Sequence, residues 1–344
     1  MRIPIIPKLQ RTTRWLQRRF TSRSLILTYH RVAEKDIDPW SLCVTPQHFA
    51  EHLEVLKQFA QPIGLNKMVE ALLACKIPDR STVVTFDDGY ANNLYNAKPL
   101  LEHYNVPATV FVTPGYLEKG REYWWDELER IFLKTGSLPE KLSLCIQADA
   151  SEWLLGAAVD YSNEDYRMDF YRRPWEGTPG SRLFVYYSIW QQLQNLPEAE
   201  RQEAVDEIIT WADASTIARS THRPLTRKEV CALVQGGLVD VGTHTMNHLF
   251  LPAFSVATQR DEINTSKVCL EEVVGRPVQA FAYPFGAYKE ETVALAQEAG
   301  FLCGCSTVEE PVWDQSDRFQ LPRFRVQDWS GEEFKRRLLK WFRC

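Results

Sequence analysis

Residues 82–90 read Thr82-Val83-Val84-Thr85-Phe86-Asp87-Asp88-Gly89-Tyr90. The first five, rich in β-branched and aromatic side chains, predict a strand covered on both faces, as in a parallel sheet. Two carboxylates follow where that strand ends. Adjacent charges there cost desolvation and repel each other unless a cation or a proton lies nearby. Acidic pairs are common on surfaces, but they seldom follow such a run directly and precede glycine, so a plain helix-capping turn is the weaker reading.

Outward from this strand, similar runs recur at 25–29, 108–112, 238–242, 280–283, 302–306 and 321–326. Helical patterns lie between them at 46–59, 65–74, 91–104, 226–235, 258–274 and 290–299. Seven strands alternating with helices predict one α/β barrel, closed or nearly closed, over residues 24–328. The rhythm fails over 118–224. Residues 121–190 hold 14 aromatic side chains, 20% against 12% for the whole chain, which predicts an inserted subdomain. Its rings either build a small second core or offer a platform for sugar rings. A basic segment (1–23) precedes the barrel and a basic helix (329–344) follows it.

The 344 residues, 44% hydrophobic and 25% charged, exclude a disordered, collagen-like or small disulfide-framework protein. No run approaches the roughly 18 apolar residues of a membrane span, and Ile3-Pro4-Ile5-Ile6-Pro7 is too short and proline-broken for a secretory signal. Eight cysteines without a CxxC pair predict free thiols in a reducing cytoplasm. A net charge of −5, with seven basic residues and no acid in the first 24, leaves −12 for the remainder. That balance argues against nucleic acid as a partner.

The second constellation is Gly242-Thr243-His244-Thr245-Met246-Asn247-His248, again at a strand end. Histidines at i and i+4 can meet one metal, and neutral imidazole suits zinc and its neighbours. With Asp88 they supply two nitrogens and one oxygen and leave a position open, the pattern of a catalytic rather than a closed structural site.

These motifs, with Phe281-Ala282-Tyr283-Pro284-Phe285-Gly286, make the chain resemble the polysaccharide deacetylase (NodB-homology) carbohydrate esterases over 24–117 and 225–328. The resemblance implies a distorted (β/α)7 barrel with a divalent metal, usually Zn²⁺, at the carboxyl ends of the strands. It implies Asp87 as general base and Asp88, His244 and His248 as metal ligands, with Thr245 holding the loop of the second histidine by hydrogen bonding. The family's Arg-x-Pro-Tyr stands here as Ala282-Tyr283-Pro284-Phe285, so the arginine that orients the base is missing. The Phe285 N–H still matches the oxyanion donor, since a backbone group survives a side-chain change. No histidine follows His248, so the family's late Leu-x-His acid is absent too. His30, after Tyr29 at the end of the first strand, matches an early Tyr-His of the poly-N-acetylglucosamine deacetylase branch, which implies the acid role for it. Arg323 in the last strand is the candidate replacement for the arginine beside Asp87.

The remaining histidines read as bland, with His48 and His52 on a barrel-exterior helix and His103 and His222 in surface segments. Cys303 and Cys305 read as core or rim thiols, and Trp124-Trp125-Asp126 lies close enough to the cleft to touch substrate. The expected activity is metal-dependent hydrolysis of N-acetyl groups from amino sugars of a glycan. Its rivals are an amidohydrolase of small amides and a non-catalytic glycan-binding protein. Basic, partly amphipathic ends admit peripheral contact with an anionic membrane at the cytoplasmic face, or packing of both ends on the barrel.

Overall fold

Every expected strand run contributes to one parallel sheet in this computed structural model, which describes residues 23–34, 36–146 and 149–343. The strands are β1 (Ser24–Tyr29), β2 (Ser81–Phe86), β3 (Ala108–Val112), β4 (Val239–Thr243), β5 (Ala280–Ala282), β6 (Cys303–Cys305) and β7 (Phe324–Arg325). They lie in the order β6-β5-β4-β3-β2-β1-β7. β1 and β2 are buried at every residue, as strands covered on both faces must be. A short strand, Gln61–Pro62, pairs beside the start of β2.

The seam of the barrel differs from expectation. One strand was expected over 321–326, but Pro322 has no N–H to give a ladder, and the run divides there. Leu321 bridges to Cys305 of β6, with Leu321 N–H donating to Gly304 O at 2.8 Å. Arg325 then pairs with Thr28 of β1. The sheet curls round to meet itself as a distorted seven-stranded barrel.

The helices are α1 (Pro46–Phe59), α2 (Leu65–Leu73), α3 (Lys98–Tyr104), α4 (Trp124–Phe132), α5 (Arg182–Leu193), α6 (Glu198–Trp211), α7 (Arg227–Val234), α8 (Val256–Val274), α9 (Glu290–Glu298) and α10 (Gly331–Trp341). The helix expected over 91–104 is instead a wide π turn, Asn93–Ala97, followed by α3. Pro99 lacks the N–H, and its ring excludes the carbonyl four residues back, so a regular helix cannot run through.

Helices α4, α5 and α6, with an antiparallel hairpin of Lys141–Ile146 and Asp149–Leu154, gather a second core around Leu128, Phe132, Tyr186 and Val205. Among the described residues, no strand of 118–224 joins the barrel sheet. Most of the aromatic excess is spent on this core, as one of the two expectations held.

α10 lays Phe334, Leu338 and Trp341 on the barrel, and Phe334 stacks on His52 at 4.2 Å. That helix therefore spends its apolar face inside the molecule. It also corrects the reading of α1 as exterior at His52, which is fully buried and within 2.7 Å of Trp329 O. No helix of the described residues is long and apolar enough to cross a membrane. The basic segment expected over 1–23 lies outside the described residues, except for Arg23.

Candidate active site

The ends of β1, β2, β4, β5 and β7 meet around a cavity of about 440 Å³. After β2 the chain turns sharply, with Asp88 at φ 70° and Gly89 at φ 77°. Only glycine adopts the second of these without strain. The turn buries both Asp87 and Asp88. On β4 a side chain at Gly242 would strike the Phe111 ring at 2.6 Å, so glycine there lets the strand approach β3 and carry His244 to the rim.

Arg323 stands where the missing arginine was sought. Its Nη1 and Nη2 donate to Asp87 Oδ1 and Oδ2 at 2.7 and 2.8 Å, a two-pronged buried pair, while Nε donates to Ser306 O at 2.8 Å. Burial pushes the Asp87 carboxyl up, but this guanidinium, helped by His244 and His30, outweighs it and holds the pKa at about 2. Asp87 is thus ionised at any ordinary pH.

Asp88, His244 and His248 come together as expected, with one ligand atom of each within 4.8 Å of the others. Asp88 Oδ1 lies 3.4 Å from His248 Nε2 and 3.7 Å from His244 Nε2. Two ligands each about 2.1 Å from one tetrahedral ion would stand about 3.4 Å apart. Burial, then Asp87 and Asp126, push the Asp88 carboxyl well above the usual range. Burial likewise pulls both histidines down, to the neutral form a metal requires. His244 Nδ1 lies 2.8 Å from Ala282 O, which fixes the N–H on that nitrogen and turns the Nε2 lone pair to the centre. This donor set, short of positive charge, fits a divalent cation.

Trp125 and Phe285 close over His248 with ring centroids 4.7 Å away. Phe285 lines the cavity from a left-handed turn at φ 58°. His30 lines it too. Burial, with Arg325, Arg323 and His244 nearby, pulls the His30 pKa to about 3 against the pull of Asp87, so this histidine rests neutral. The Thr245 expectation fails: its buried hydroxyl has no hydrogen-bond partner among the described residues. Of Trp124-Trp125-Asp126, Trp125 alone lines the cavity. Trp124 packs between Trp190, at 5.7 Å, and the guanidinium of Arg201, at 5.3 Å.

Asp126 belongs elsewhere. With Glu129 and His222 it forms a second buried cluster whose ligand atoms also lie within 4.8 Å of one another. His222 was read as a surface residue, but it is 2% exposed. Here Arg219 donates to Glu129 at 3.0 Å and to Glu122 at 2.8 Å, and Tyr90 donates to Asp126 at 2.7 Å. Trp125 links the two clusters, since its indole N–H donates to the Tyr90 hydroxyl at 3.0 Å. The sequence offered no sign of Trp40 or Trp190, which also line the cavity. Arg325 was missed as well, although a signal was present: it lies two residues after Arg323 and so shares its face in the strand expected over 321–326.

The model of the polysaccharide deacetylase family matches residues 76–135 and 204–304. This chain belongs to that family. A Bacillus subtilis (strain 168) relative named as a polysaccharide deacetylase, YxkH, is 19% identical over 94% of this chain and 78% of its own length. The poly-β-1,6-N-acetyl-D-glucosamine N-deacetylase of Staphylococcus epidermidis is 31% identical, but over only 27% of this chain and 37% of that protein. Among solved structures, the Streptococcus pyogenes deacetylase PplD in complex with acetate superposes with a TM-score of 0.58 at 19% identity, covering 94% of this chain and 99% of that one. At that identity the likeness speaks for the deacetylase fold. The family match breaks off between 135 and 204, within the aromatic-rich region.

Proposed function

We propose that this chain removes N-acetyl groups from amino-sugar residues of a glycan by hydrolysis, using a divalent metal, most simply Zn²⁺, and releasing acetate. One observation carries the reading: an ionised Asp87, clamped by Arg323, stands beside the Asp88–His244–His248 donor set in a single cavity. That cavity falls within the ~300–1,000 Å³ span of small-molecule sites.

Asp88, His244 and His248 would hold the cation, which supplies polarisation of the acetamide carbonyl and acidification of water. Asp87, ionised and fixed in orientation, would take the proton of the attacking water. The Phe285 N–H would donate to the oxyanion as the carbonyl becomes tetrahedral. An amide nitrogen cannot leave as an anion, so it needs a proton, and His30 would deliver it. Because His30 rests neutral, it would first take the water-derived proton from Asp87 and then pass it to the nitrogen, which returns both groups to their starting states.

The test is acetate release from N-acetylglucosamine oligomers by chelated protein, before and after zinc is restored. Zinc-dependent release is expected, and no release from any N-acetylated saccharide would refute the reading. Small cyclic amides in parallel separate the rival amidohydrolase. Asp87→Asn should retain zinc and lose turnover. We place the reaction in the cytoplasm, with the seven basic residues among the first 24 drawing the chain to anionic lipid at about 1 kcal/mol each. Flotation with anionic liposomes that survives deletion of residues 1–22 would remove that segment from the account.

A further inference from the structure

Buried arginines in this molecule are usually neutralised. Of the four buried arginines among the described residues, Arg31, Arg201 and Arg323 lie within 3.5 Å of a carboxylate oxygen, and Arg182 gives its donors to backbone carbonyls. The half-buried Arg325 has no such carboxylate. It lines the same cavity as the metal-ligand cluster, and no carboxylate of the described residues comes within ion-pair distance of it. Its Nη2 donates to Trp40 O and to Ser41 O. Its Nε is buried with no hydrogen-bond partner. Of five guanidinium donors, the two on Nη1 are therefore left for a ligand, the Nε–H being out of reach.

A second unneutralised guanidinium stands beside it. Arg173 donates to Ser41 Oγ and, at 3.4 Å, to Gln327 Oε1, and the two arginines repel each other. Ser41, at φ 50°, touches both. Its loop is stapled by Asp38, which accepts from Leu42 N–H and Cys43 N–H at 2.9 Å each. The like charges are thus held together by a rigid frame instead of being free to separate. Glu309 also lines the cavity but is exposed and forms no ion pair with Arg325.

An aromatic surface adjoins the pair. Trp40 packs on Trp190 at 4.5 Å, with Tyr187 and Trp175 each 6.2 Å from it, and Trp175 is 59% exposed. Rings of this kind take the apolar face of a sugar, while unpaired guanidiniums take a carboxylate or a phosphate in two-pronged fashion.

We propose that Arg325 and Arg173 form an anion subsite, so that the preferred glycan carries a phosphate or a carboxylate on a sugar seated near Trp40. The inference builds on the deacetylase reading for what happens in the adjoining cavity, yet binding at the subsite is measurable without turnover.

The experiment titrates the full chain calorimetrically with N-acetylglucosamine 1-phosphate, with a disaccharide of N-acetylglucosamine and glucuronic acid, and with neutral N,N′-diacetylchitobiose. At least one anionic ligand should bind tenfold or more tightly than the neutral one, with the preference shrinking at high salt. Arg325→Gln and Arg173→Gln should each lower that ratio severalfold. Arg173 is only half-buried, so its substitution keeps the test valid if Arg325→Gln folds poorly. Phosphate binding without glucuronate binding, or the reverse, identifies the source of the anion. Equal affinity for charged and neutral ligands, or a ratio indifferent to both substitutions, overturns the subsite even if acetate release is robust. Strong anion-selective binding without acetate release would retain the subsite and reject the activity.

Discussion

Two buried clusters in this molecule have nearly the same membership. Asp88, His244 and His248 make one, Asp126, Glu129 and His222 the other, and in both the ligand atoms fall within 4.8 Å. Donor geometry alone does not separate them. The difference is whether the protein has already supplied a cation. Around the second cluster, Arg219 reaches Glu129 and Glu122, and burial of the Glu129 carboxyl is outweighed by His222, Arg219 and Arg31, which hold it at about 2. Around the first, Arg323 is taken up by Asp87, Ser306 O and the Thr85 hydroxyl, and Asp88 is left with neutral imidazoles. A carboxylate buried without a countercharge is costly, so the first cluster is the one that wants a metal ion. In the second, Arg219 already pairs with Glu122 and Glu129, and burial pushes Asp126, which accepts from Tyr90, towards its uncharged form.

The sharpest way to break this comparison is metal content. Wild type should hold one equivalent of zinc by elemental analysis. Asp88→Ala, His244→Ala or His248→Ala should each lose it and reduce turnover to background, while Glu129→Gln and His222→Gln should keep it. A second equivalent that vanishes with Glu129→Gln would show that guanidiniums do not exclude the ion.

Next in size are the two arginines. Removing one partner of a buried pair costs about 3–5 kcal/mol, so Arg219→Met and Arg323→Met should both unfold at markedly lower denaturant. Turnover should then separate them, because Arg323→Met also deprives Asp87 of its clamp while Arg219→Met leaves the reacting groups untouched. Equal losses of kcat at saturating zinc would undo that separation.

The pH dependence refines the second cluster further. Glu129 titrates lower in the folded chain than in the unfolded one, so its contribution is complete above about pH 4.5 and is lost as pH falls towards about 2. The stability gap between wild type and Arg219→Met should accordingly be widest at neutral pH and narrow on acidification. A gap that widened in acid would assign the stabilisation to another group.

The smallest effect concerns the link between the clusters. Tyr90→Phe leaves the Trp125 N–H and one oxygen of Asp126 without their partner, at a cost of about 1–3 kcal/mol for unsatisfied buried groups. Zinc content should not change. Loss of zinc would mean that the Tyr90–Trp125 bond, and not His248 itself, sets the position of that ligand.

The first cluster could be read from the chain and the second could not, for a physical reason. Asp88 and the histidines stand immediately after apolar runs, and strand ends of a parallel barrel converge on one rim whatever the loops do. Arg323 was legible as a candidate because only its face was in doubt. His222 and His52 carried no such mark. Their burial depends on elements far along the chain, α4 closing over one and α10 over the other, and a local pattern does not register a distant cover. The same holds for Trp190, whose place over the cavity follows from how α5 packs on α4. Thr245 was misjudged in the opposite direction, as the motif suggested a hydrogen bond that the side chain does not make.

The seam at Pro322 sets the order in which the protein can become competent. Asp87 and the arginine that clamps it are 236 residues apart, and the segment that carries the arginine is also the one that shuts the barrel. At roughly 5–20 residues per second of synthesis, on the order of ten to fifty seconds pass between their emergence from the ribosome. Throughout that interval a nascent chain has its aspartates and lacks the guanidinium. What comes late is therefore not the charge of Asp87, which water sustains while the barrel is open, but its fixed orientation, and a chain stalled or cut before residue 323 lacks that clamp.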